Sequence, residues 1–353
     1  MSEAQTQNLA AEGPYYSLTV ADVVRETHDS CSLVLDVPDD LREKFAYRAG
    51  QFLTFRMEVE GKRLVRCYSL ASSPDTDPVH KVTVKRVDEG RVSNQVNDRV
   101  QPGTVLEVMK PTGVFCLEDR PDREREIVLF SGGSGITPVI SIIKTALATT
   151  ARPLRLLYAN RDERSIIFRA ELDALVAAHP GRLEIVHSLD DRDGFVDVDR
   201  ARAFVGGSTG ADFYVCGPGP FMDVVELALS EVGVDEDRLF IERFESPDDE
   251  VGEATSADAE GGVAVTVVLD GQTTEVTCGP DETILQAARR AGLEPPFACE
   301  EAYCGCCMAQ VKEGDVEMKM NDGGIDQGQI EAGWVLTCQG VPKGGRCTVE
   351  YPD

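Results

Sequence analysis

Four cysteines near the carboxyl end constrain this chain more than any other feature. Cys299, Cys304 and Cys307 lie in one short loop, with four and then two residues between them, and Cys338 follows further along. Thiolates are soft ligands that suit iron–sulfur clusters and other thiophilic metals. The pattern therefore predicts a metal centre held by these four cysteines, and Cys306 is the spare thiol of the loop.

The spacing resembles that of plant-type ferredoxins, in which C-x4-C-x2-C and a distant fourth cysteine hold a [2Fe–2S] cluster. A structural zinc site is the alternative. Zinc loops usually carry two close cysteine pairs or a mixture of cysteine and histidine, so we favour the cluster. The apolar run Trp334–Thr337 before the fourth thiol predicts a buried strand that anchors it.

Length and charge limit the expected partners and location. The chain has 353 residues, enough for two or three domains, and a formal net charge of -27. Nucleic acid and anionic membranes are therefore not expected partners, whereas a basic or locally basic protein is. The polar residues 1–14 and the lack of any run of about eighteen apolar residues predict neither a signal peptide nor a membrane span. We expect a cytoplasmic protein, because clustered cysteines in an unsecreted chain indicate a reducing compartment.

Residues 14–120 are predicted to form an antiparallel β-barrel. Short alternating runs such as Tyr16–Val20, Ser32–Asp36 and Val82–Lys85 are separated by turn residues. This spacing is typical of small barrels.

One barrel strand carries side chains that could hold a cofactor with a ring system and phosphates. Arg66, Tyr68 and Leu70 share one face of the strand, whereas Ser69 faces the other way. An arginine can bind a phosphate through two nitrogens, and a tyrosine can lie flat along a ring. On these residues alone, an ordinary half-buried strand with a surface arginine is the simpler interpretation.

Arg66-x-Tyr68-Ser69 resembles the flavin-binding motif of the ferredoxin–NADP reductase superfamily, and two later stretches match that family in the same order. Val84-Lys85-Arg86 resembles the strand that lines the flavin. Gly90–Asn94 resembles the turn that holds the flavin pyrophosphate at a helix N-terminus, which favours FAD over FMN. The resemblance implies that Arg66 grips the pyrophosphate, Tyr68 packs on the flavin and Ser69 lies near its N5. The implied flavin-binding residues are Arg66, Tyr68, Ser69, Leu70, Val84, Lys85, Arg86, Gly90, Val92 and Ser93.

Residues 121–246 alternate between apolar strands and helices, which predicts a parallel α/β domain. The turn Ser131–Pro138 follows the strand Ile127–Phe130 and lets a pyrophosphate approach a helix N-terminus, although it is not a GxGxxG fingerprint. The turn resembles the nicotinamide-dinucleotide motif of the same superfamily, and Cys216–Pro218 resembles its second signature, whose cysteine lies beside the nicotinamide C4. The implied nicotinamide-binding residues are Gly132, Gly133, Ser134, Gly135, Thr137, Pro138, Cys216, Gly217 and Pro218.

A predicted strand ends near Tyr158, and the segment after it helps to decide between NADH and NADPH as the electron donor. Asp162 and Glu163 favour the free 2′-hydroxyl of NADH, while Arg161 leaves NADPH open.

The end of this domain, Glu242-x-Phe244, resembles the segment that relatives fold back over the flavin. Phe244 would shield the flavin ring, and a strand end packed on the sheet is the alternative. The catalytic candidates are Ser69, Cys216, Glu242 and Phe244.

Residues 247–262 are small and acidic and predict a flexible tether. Residues 263–353 then fit a β-grasp ferredoxin domain, with a hairpin turn at Asp270-Gly271 and a helix from Glu282 to Gly292. The domain carries 15 acidic and 6 basic residues. An acidic rim near the cluster would steer a basic acceptor, and a generally acidic surface is the alternative.

The predicted modules form one route for electrons. A nicotinamide gives up two electrons as hydride, a plant-type cluster takes one at a time, and a flavin can mediate between them. Their order resembles the reductase components of two-component oxygenases, including phenylacetate-CoA oxygenase reductases and the reductase of 3-ketosteroid 9α-hydroxylase, whose partner is a Rieske non-haem iron oxygenase. The resemblance implies electron transfer from NADH through FAD and [2Fe–2S] to a terminal oxygenase that docks near the cluster. A stand-alone NAD(P)H:acceptor diaphorase and a non-enzymatic redox sensor are the alternatives.

Overall fold

Three sheets follow one another along the chain in this computed structural model. The structure describes residues 15–118, 125–244, 262–293, 295–297, 299–300, 302–321, 324–325 and 327–352. An antiparallel sheet, a parallel sheet and a mixed third sheet confirm the predicted fold class. The predicted domain boundary at 120 and residues 247–261 of the predicted tether lie outside the described residues and stay predictions. No helix within the described ranges is both long enough and apolar enough to cross a membrane.

The first sheet is antiparallel. Its elements are β1 Tyr15–Thr27, β2 Ser30–Asp36, β3 Phe52–Val59, β4 Lys62–Ser69, β5 His80–Lys85, α1 Arg91–Arg99 and β6 Val105–Met109. The strand order is β4-β3-β6-β1-β2-β5, and a single bridge from Leu70 to Val82 brings the two edge strands together. Cys31, Leu33 and Leu35 face the barrel core at alternate positions of β2, because successive strand residues point to opposite faces.

The second sheet is parallel and is covered by helices. Its elements are β7 Ile127–Gly132, α2 Ile136–Thr149, β8 Leu154–Asn160, α3 Arg169–Ala178, β9 Leu183–Leu189, α4 Asp190–Asp193, α5 Val198–Val205, β10 Asp212–Gly217, α6 Gly219–Glu231 and β11 Leu239–Arg243. The order is β11-β10-β7-β8-β9. Ile127 and Leu129 enter one apolar cluster and Val128 and Phe130 another, as expected for a strand buried on both faces.

Ion pairs join the first domain to the second. The ammonium of Lys144, in α2, pairs with Asp77 of the first domain and lies 2.7 Å from Glu171 of α3. Lys81 of β5 lies 3.1 Å from the same Glu171 carboxylate. The Lys144 side chain is only 9% exposed, so water screens these pairs less than it screens surface pairs. The network fixes the barrel against the parallel sheet.

The third sheet carries the cysteine loop. Its elements are β12 Val263–Leu269, β13 Gln272–Cys278, α7 Ile284–Arg290, β14 Met308–Met318, α8 Gln327–Glu331, β15 Trp334–Leu336 and β16 Gly340–Glu350, in the sheet order β13-β12-β16-β14-β15. The predicted Asp270-Gly271 turn joins β12 to β13. Helix α7 begins at Ile284, later than predicted, because Thr283 and Gln286 exchange hydrogen bonds in a capping box.

Candidate active site

A cavity of about 380 Å³ lies where all three domains meet. The residues that line it are Phe52, Arg66, Cys67, Tyr68, Ser69, Thr83, Lys85, Val87, Asp88, Glu89, Gly90, Arg91, Val92, Ser93, Ser134, Thr137, Gly217, Pro218, Glu242, Arg243, Phe244, Cys299, Tyr303 and Cys304. Its size is within the range of small-molecule and cofactor sites. The structure thus brings together candidate residues from the flavin-binding stretches, the nicotinamide-binding turns and the cysteine loop.

The barrel wall comes from β4, which presents the predicted Arg66, Tyr68 and Ser69 to the cavity. The Tyr68 ring lies 5.7 Å from that of Phe55, which fixes its position, and burial raises the pKa of its hydroxyl. Ser69 is 2% exposed. Arg66 donates a hydrogen bond of 2.9 Å to the Val65 carbonyl.

The turn before α1 forms a second wall of the cavity. The Val87 amide donates to Ser93 Oγ at 3.1 Å, and a Cβ on Gly90 would lie 2.5 Å from that same oxygen. Any other residue would therefore displace Ser93. Lys85 lines the cavity beside this turn, and burial lowers the pKa of its ammonium. A cation and a helix N-terminus together suit a phosphate group.

Three predicted flavin-binding residues lie outside the cavity lining. Leu70 and Val84 are fully buried in the barrel core. Arg86 pairs with Asp98 of α1 and donates to Asn94 at 3.3 Å. Its guanidinium therefore holds the helix in place beside the cavity.

The glycine-rich turn after β7 packs tightly against the end of β10. A Cβ on Gly135 would lie 2.1 Å from the Cys216 carbonyl oxygen, and one on Gly132 would lie 2.7 Å from Pro218. Only glycine allows this approach of the two loops. Ser134 lines the cavity, while the predicted Gly133 accepts a hydrogen bond of 3.0 Å from the Tyr158 hydroxyl.

Thr137 and Pro138 occupy the first turn of α2. Thr137 lines the cavity and donates to the Ser134 carbonyl at 3.0 Å, whereas Pro138 is buried. At the end of β10, Gly217 and Pro218 also line the cavity.

Three predicted catalytic side chains meet where the barrel touches the parallel sheet. Cys216 and Glu242 are neighbours in the register of β10 and β11. Ser69 donates a hydrogen bond of 3.2 Å to the Glu242 carboxyl. Burial raises the pKa of Glu242 from 4.5 to about 8, so the carboxyl is largely protonated at neutral pH. Burial also raises the pKa of the Cys216 thiol, which lies behind the cavity wall.

The chain leaves the second domain along the rim of the cavity. Phe244 lines the cavity and is 43% exposed, while Arg243 beside it donates to Asp223 at 3.0 Å. An aromatic side chain held this loosely can move without unpacking a core.

The cysteine loop closes the remaining side of the cavity. Cys299, Tyr303 and Cys304 line it, and the Tyr303 ring lies 6.3 Å from that of Phe52 in the barrel. Cys306 lies 3.7 Å from the barrel residue Cys67, sulfur to sulfur. The sequence analysis did not predict that Phe52 and Cys67 line the cavity. The one signal in the sequence was the position of Cys67 between Arg66 and Tyr68.

The four predicted metal ligands are all buried thiols that suit a [2Fe–2S] cluster. Cys307 and Cys338 hydrogen-bond each other, and the Cys306 amide donates to the Cys304 sulfur at 3.4 Å. Within the described residues, no three His, Cys, Asp or Glu side chains converge on a single metal ion. A two-iron cluster instead divides its four thiolates between two metals, so the donor chemistry fits that group.

Three family models match consecutive parts of the chain. A model of the oxidoreductase FAD-binding domain matches residues 17–116, and one of the oxidoreductase NAD-binding domain matches residues 129–226. A model of the 2Fe-2S iron-sulfur cluster binding domain matches residues 267–343. The predicted cofactor-binding domains are thereby confirmed.

Several curated relatives match most of the chain. The ferredoxin reductase component of 3-ketosteroid-9-alpha-monooxygenase from Rhodococcus rhodochrous is 42% identical over 341 residues, which cover 95% of this chain and 96% of the relative. A component of the 1,2-phenylacetyl-CoA epoxidase from Escherichia coli is 33% identical over 352 residues, covering 96% and 98%. The reductase component of glycine betaine monooxygenase from Pseudomonas aeruginosa is 32% identical over 318 residues, covering 85% and 86%.

Among solved structures, phthalate dioxygenase reductase has the same fold. Its TM-score is 0.58 at 24% identity, and the match covers 96% of this chain and 98% of that one. It is described as a modular structure for electron transfer from pyridine nucleotides to [2Fe-2S]. The three-domain arrangement is therefore shared over the full length of both proteins.

Proposed function

This chain belongs to the family of oxygenase reductases that join FAD-binding, NAD-binding and [2Fe–2S] domains and serve a separate oxygenase component, and we propose that its own partner is a Rieske-type 3-ketosteroid 9α-hydroxylase. The observation that supports this choice is the 42% identity to a reductase of that system across 95% of the chain, against 33% for the phenylacetyl-CoA epoxidase component.

When bound, FAD and a [2Fe–2S] cluster would supply the redox chemistry, which is two-electron exchange with a nicotinamide and one-electron transfer onward. We assign the residues of this chain to binding and orientation. Arg66, Lys85 and the amides in the first turn of α1 would hold the FAD phosphates, because cations and a helix N-terminus stabilise anions. Tyr68 would pack on the flavin ring, and Ser134 and Thr137 would face the nicotinamide dinucleotide.

Ser69 and Glu242 would form the floor under the reacting rings, with Cys216 buried behind it. A protonated Glu242 adds no negative charge there, so a hydride donor meets a neutral surface. Phe244 would cover the flavin in the resting protein and move aside for the nicotinamide, as its partial exposure permits.

NADH is the proposed donor because both basic residues of this turn already pair with carboxylates, Arg164 with Asp162 at 3.8 Å. Arg161 donates to Asp29 of the barrel at 2.7 Å. The Asp162 carboxylate accepts the Ser165 amide at 3.0 Å and so keeps an acidic group at this turn. An acidic turn favours the 2′-hydroxyl of NADH over the 2′-phosphate of NADPH.

Cys299, Cys304, Cys307 and Cys338 would bind the cluster. The Cys304 side of the loop lies against the barrel, so the oxygenase would approach the other side of the ferredoxin domain. The 15 acidic and 6 basic residues of that domain suit a basic docking surface on the oxygenase.

Reconstitution tests the proposal. The purified protein, loaded with FAD and iron, is mixed with NADH and the oxygenase component of a 3-ketosteroid 9α-hydroxylase, and the hydroxylated steroid is measured by mass spectrometry. The proposed partner is wrong if the reductase supports faster product formation by an oxygenase that acts on phenylacetyl-CoA or glycine betaine than by the steroid hydroxylase. Rapid turnover with small acceptors and none with any oxygenase would favour the diaphorase. Replacing NADH by NADPH in the same assay tests the donor.

A further inference from the structure

Two cysteines without an assigned role face each other across the junction between the barrel and the ferredoxin domain. Cys67 belongs to β4, and Cys306 is the spare thiol of the cysteine loop. Their sulfur atoms lie 3.7 Å apart. The Thr54 hydroxyl contacts both, at 3.4 Å from Cys67 and 3.5 Å from Cys306, so both thiols are held in place.

The two thiols differ in access. Cys306 is 4% exposed and packs among Phe52, Val65 and Cys304. Cys67 is half-buried and lines the cavity. A small oxidant that reaches this junction therefore meets Cys67 before Cys306, which is more deeply buried.

We propose that Cys67 and Cys306 are a modification site at which hydrogen peroxide forms a reversible disulfide between the barrel and the ferredoxin domain. The Cys67 sulfur attacks one peroxide oxygen, the O–O bond breaks, and Cys67 becomes a sulfenic acid as one water leaves. The Cys306 sulfur then attacks the Cys67 sulfur, the S–O bond breaks, and a second water leaves. Two thiols lose two electrons in total, and one peroxide takes them up.

The geometry favours this pair. A disulfide needs sulfur atoms about 2.05 Å apart, so the two sulfurs must approach by less than about 2 Å, which side-chain rotation can supply. The bond would tie the cysteine loop to the barrel strand β4 and so fix the ferredoxin domain in its docked position. A thiol reductant would restore the two free thiols.

A cleavable form of the holoprotein tests the link directly. A recognition sequence for a site-specific protease is inserted within residues 249–258, the protein is treated with hydrogen peroxide and then cleaved, and a non-reducing gel separates the products. We expect the two halves to stay joined after oxidation and to separate after dithiothreitol. Mass spectrometry of the joined form is expected to find the peptide pair that contains Cys67 and Cys306.

Cysteine-to-serine variants test which thiols form the link. Cys67→Ser and Cys306→Ser should each abolish the link, whereas Cys116→Ser, which removes a buried thiol that contacts the Gly113 carbonyl instead, should not. The iron content of Cys306→Ser is measured as well. If it equals that of the unmodified protein, loss of the cluster does not explain the missing link. Halves that separate after oxidation would overturn the proposal. A link that persists in Cys306→Ser would also overturn the proposal. So would a disulfide between Cys67 and Cys304, whose thiol also hydrogen-bonds Cys67.

Discussion

Replacing Glu242 with glutamine should remove a pH-dependent loss of stability that the buried carboxyl causes. The carboxyl contacts Ser69 and has a pKa of about 8 in the folded protein, against 4.5 ordinarily. Below the ordinary value the carboxyl is neutral in both the folded and the unfolded chain. As pH rises above 4.5, the unfolded chain releases the proton while the folded protein keeps it, so the folded state becomes progressively less favoured until the pH passes 8.

The size of the effect follows from the pKa difference. Each pH unit between the two values costs about 1.4 kcal/mol, which gives roughly 5 kcal/mol across the full interval and about 3 kcal/mol between pH 5.5 and 7.5. Glutamine has no proton to lose and can still accept the Ser69 hydrogen bond. The unfolding temperature of Glu242→Gln, relative to the unmodified protein, should therefore rise by roughly 6–12 °C over that pH interval.

Flavin release is a suitable assay because Glu242 borders the cavity. The increase in flavin fluorescence on heating is followed for the unmodified protein and for Glu242→Gln at several pH values. Glu236→Gln, which changes an exposed carboxylate just before β11, is the matched control and should follow the unmodified protein.

Parallel curves for Glu242→Gln and the unmodified protein would refute the reasoning. They would mean that the carboxyl is already ionised at neutral pH in the folded state. A constant gap between the curves has this meaning because only a protonation difference between the folded and unfolded states makes the gap depend on pH.

Three further substitutions test other parts of the site and fold. Cys304→Ser should keep flavin reduction by NADH and lose transfer to a one-electron protein acceptor, while Cys306→Ser keeps both; transfer by Cys304→Ser at the unmodified rate would contradict the ligand assignment. Arg66→Ala should purify with little flavin, measured by absorbance, whereas Arg56→Ala on the neighbouring strand should keep it; equal flavin content would exclude the phosphate role. Asp212→Asn leaves buried arginines without their carboxylate and should cost about 3–5 kcal/mol, seen as a lower denaturant midpoint; an unchanged midpoint would contradict this.

The fold could be predicted from the sequence because each domain has a clear local pattern. The alternation in β2, the continuous apolar run of β7 and the Asp270-Gly271 turn are features of short segments. The cysteine loop and the Arg66–Ser69 motif are likewise local, so spacing and resemblance were enough to place them.

Contacts between distant segments could not be predicted in this way. The hydrogen bond from Ser69 to Glu242 joins residues of different domains, and the raised pKa of Glu242 depends on burial by both. Arg86 was predicted to bind flavin because Val84-Lys85-Arg86 resembles a flavin-lining strand, and that resemblance gives no sign of its ion pair with Asp98 of α1. The approach of Cys67 to Cys306 depends on how two separate domains dock, which no local pattern encodes.

The apolar junction under the cysteine loop has a consequence for anyone who shortens this protein. Phe52 and Val65 of the barrel are covered by Cys299, Cys304 and Cys306. A version truncated after the second domain would present those two side chains to water and would tend to self-associate. Replacing Val65 with a polar residue in such a truncated version should keep it monomeric. A shortened protein therefore needs a change to its newly exposed surface as well as a suitable end point.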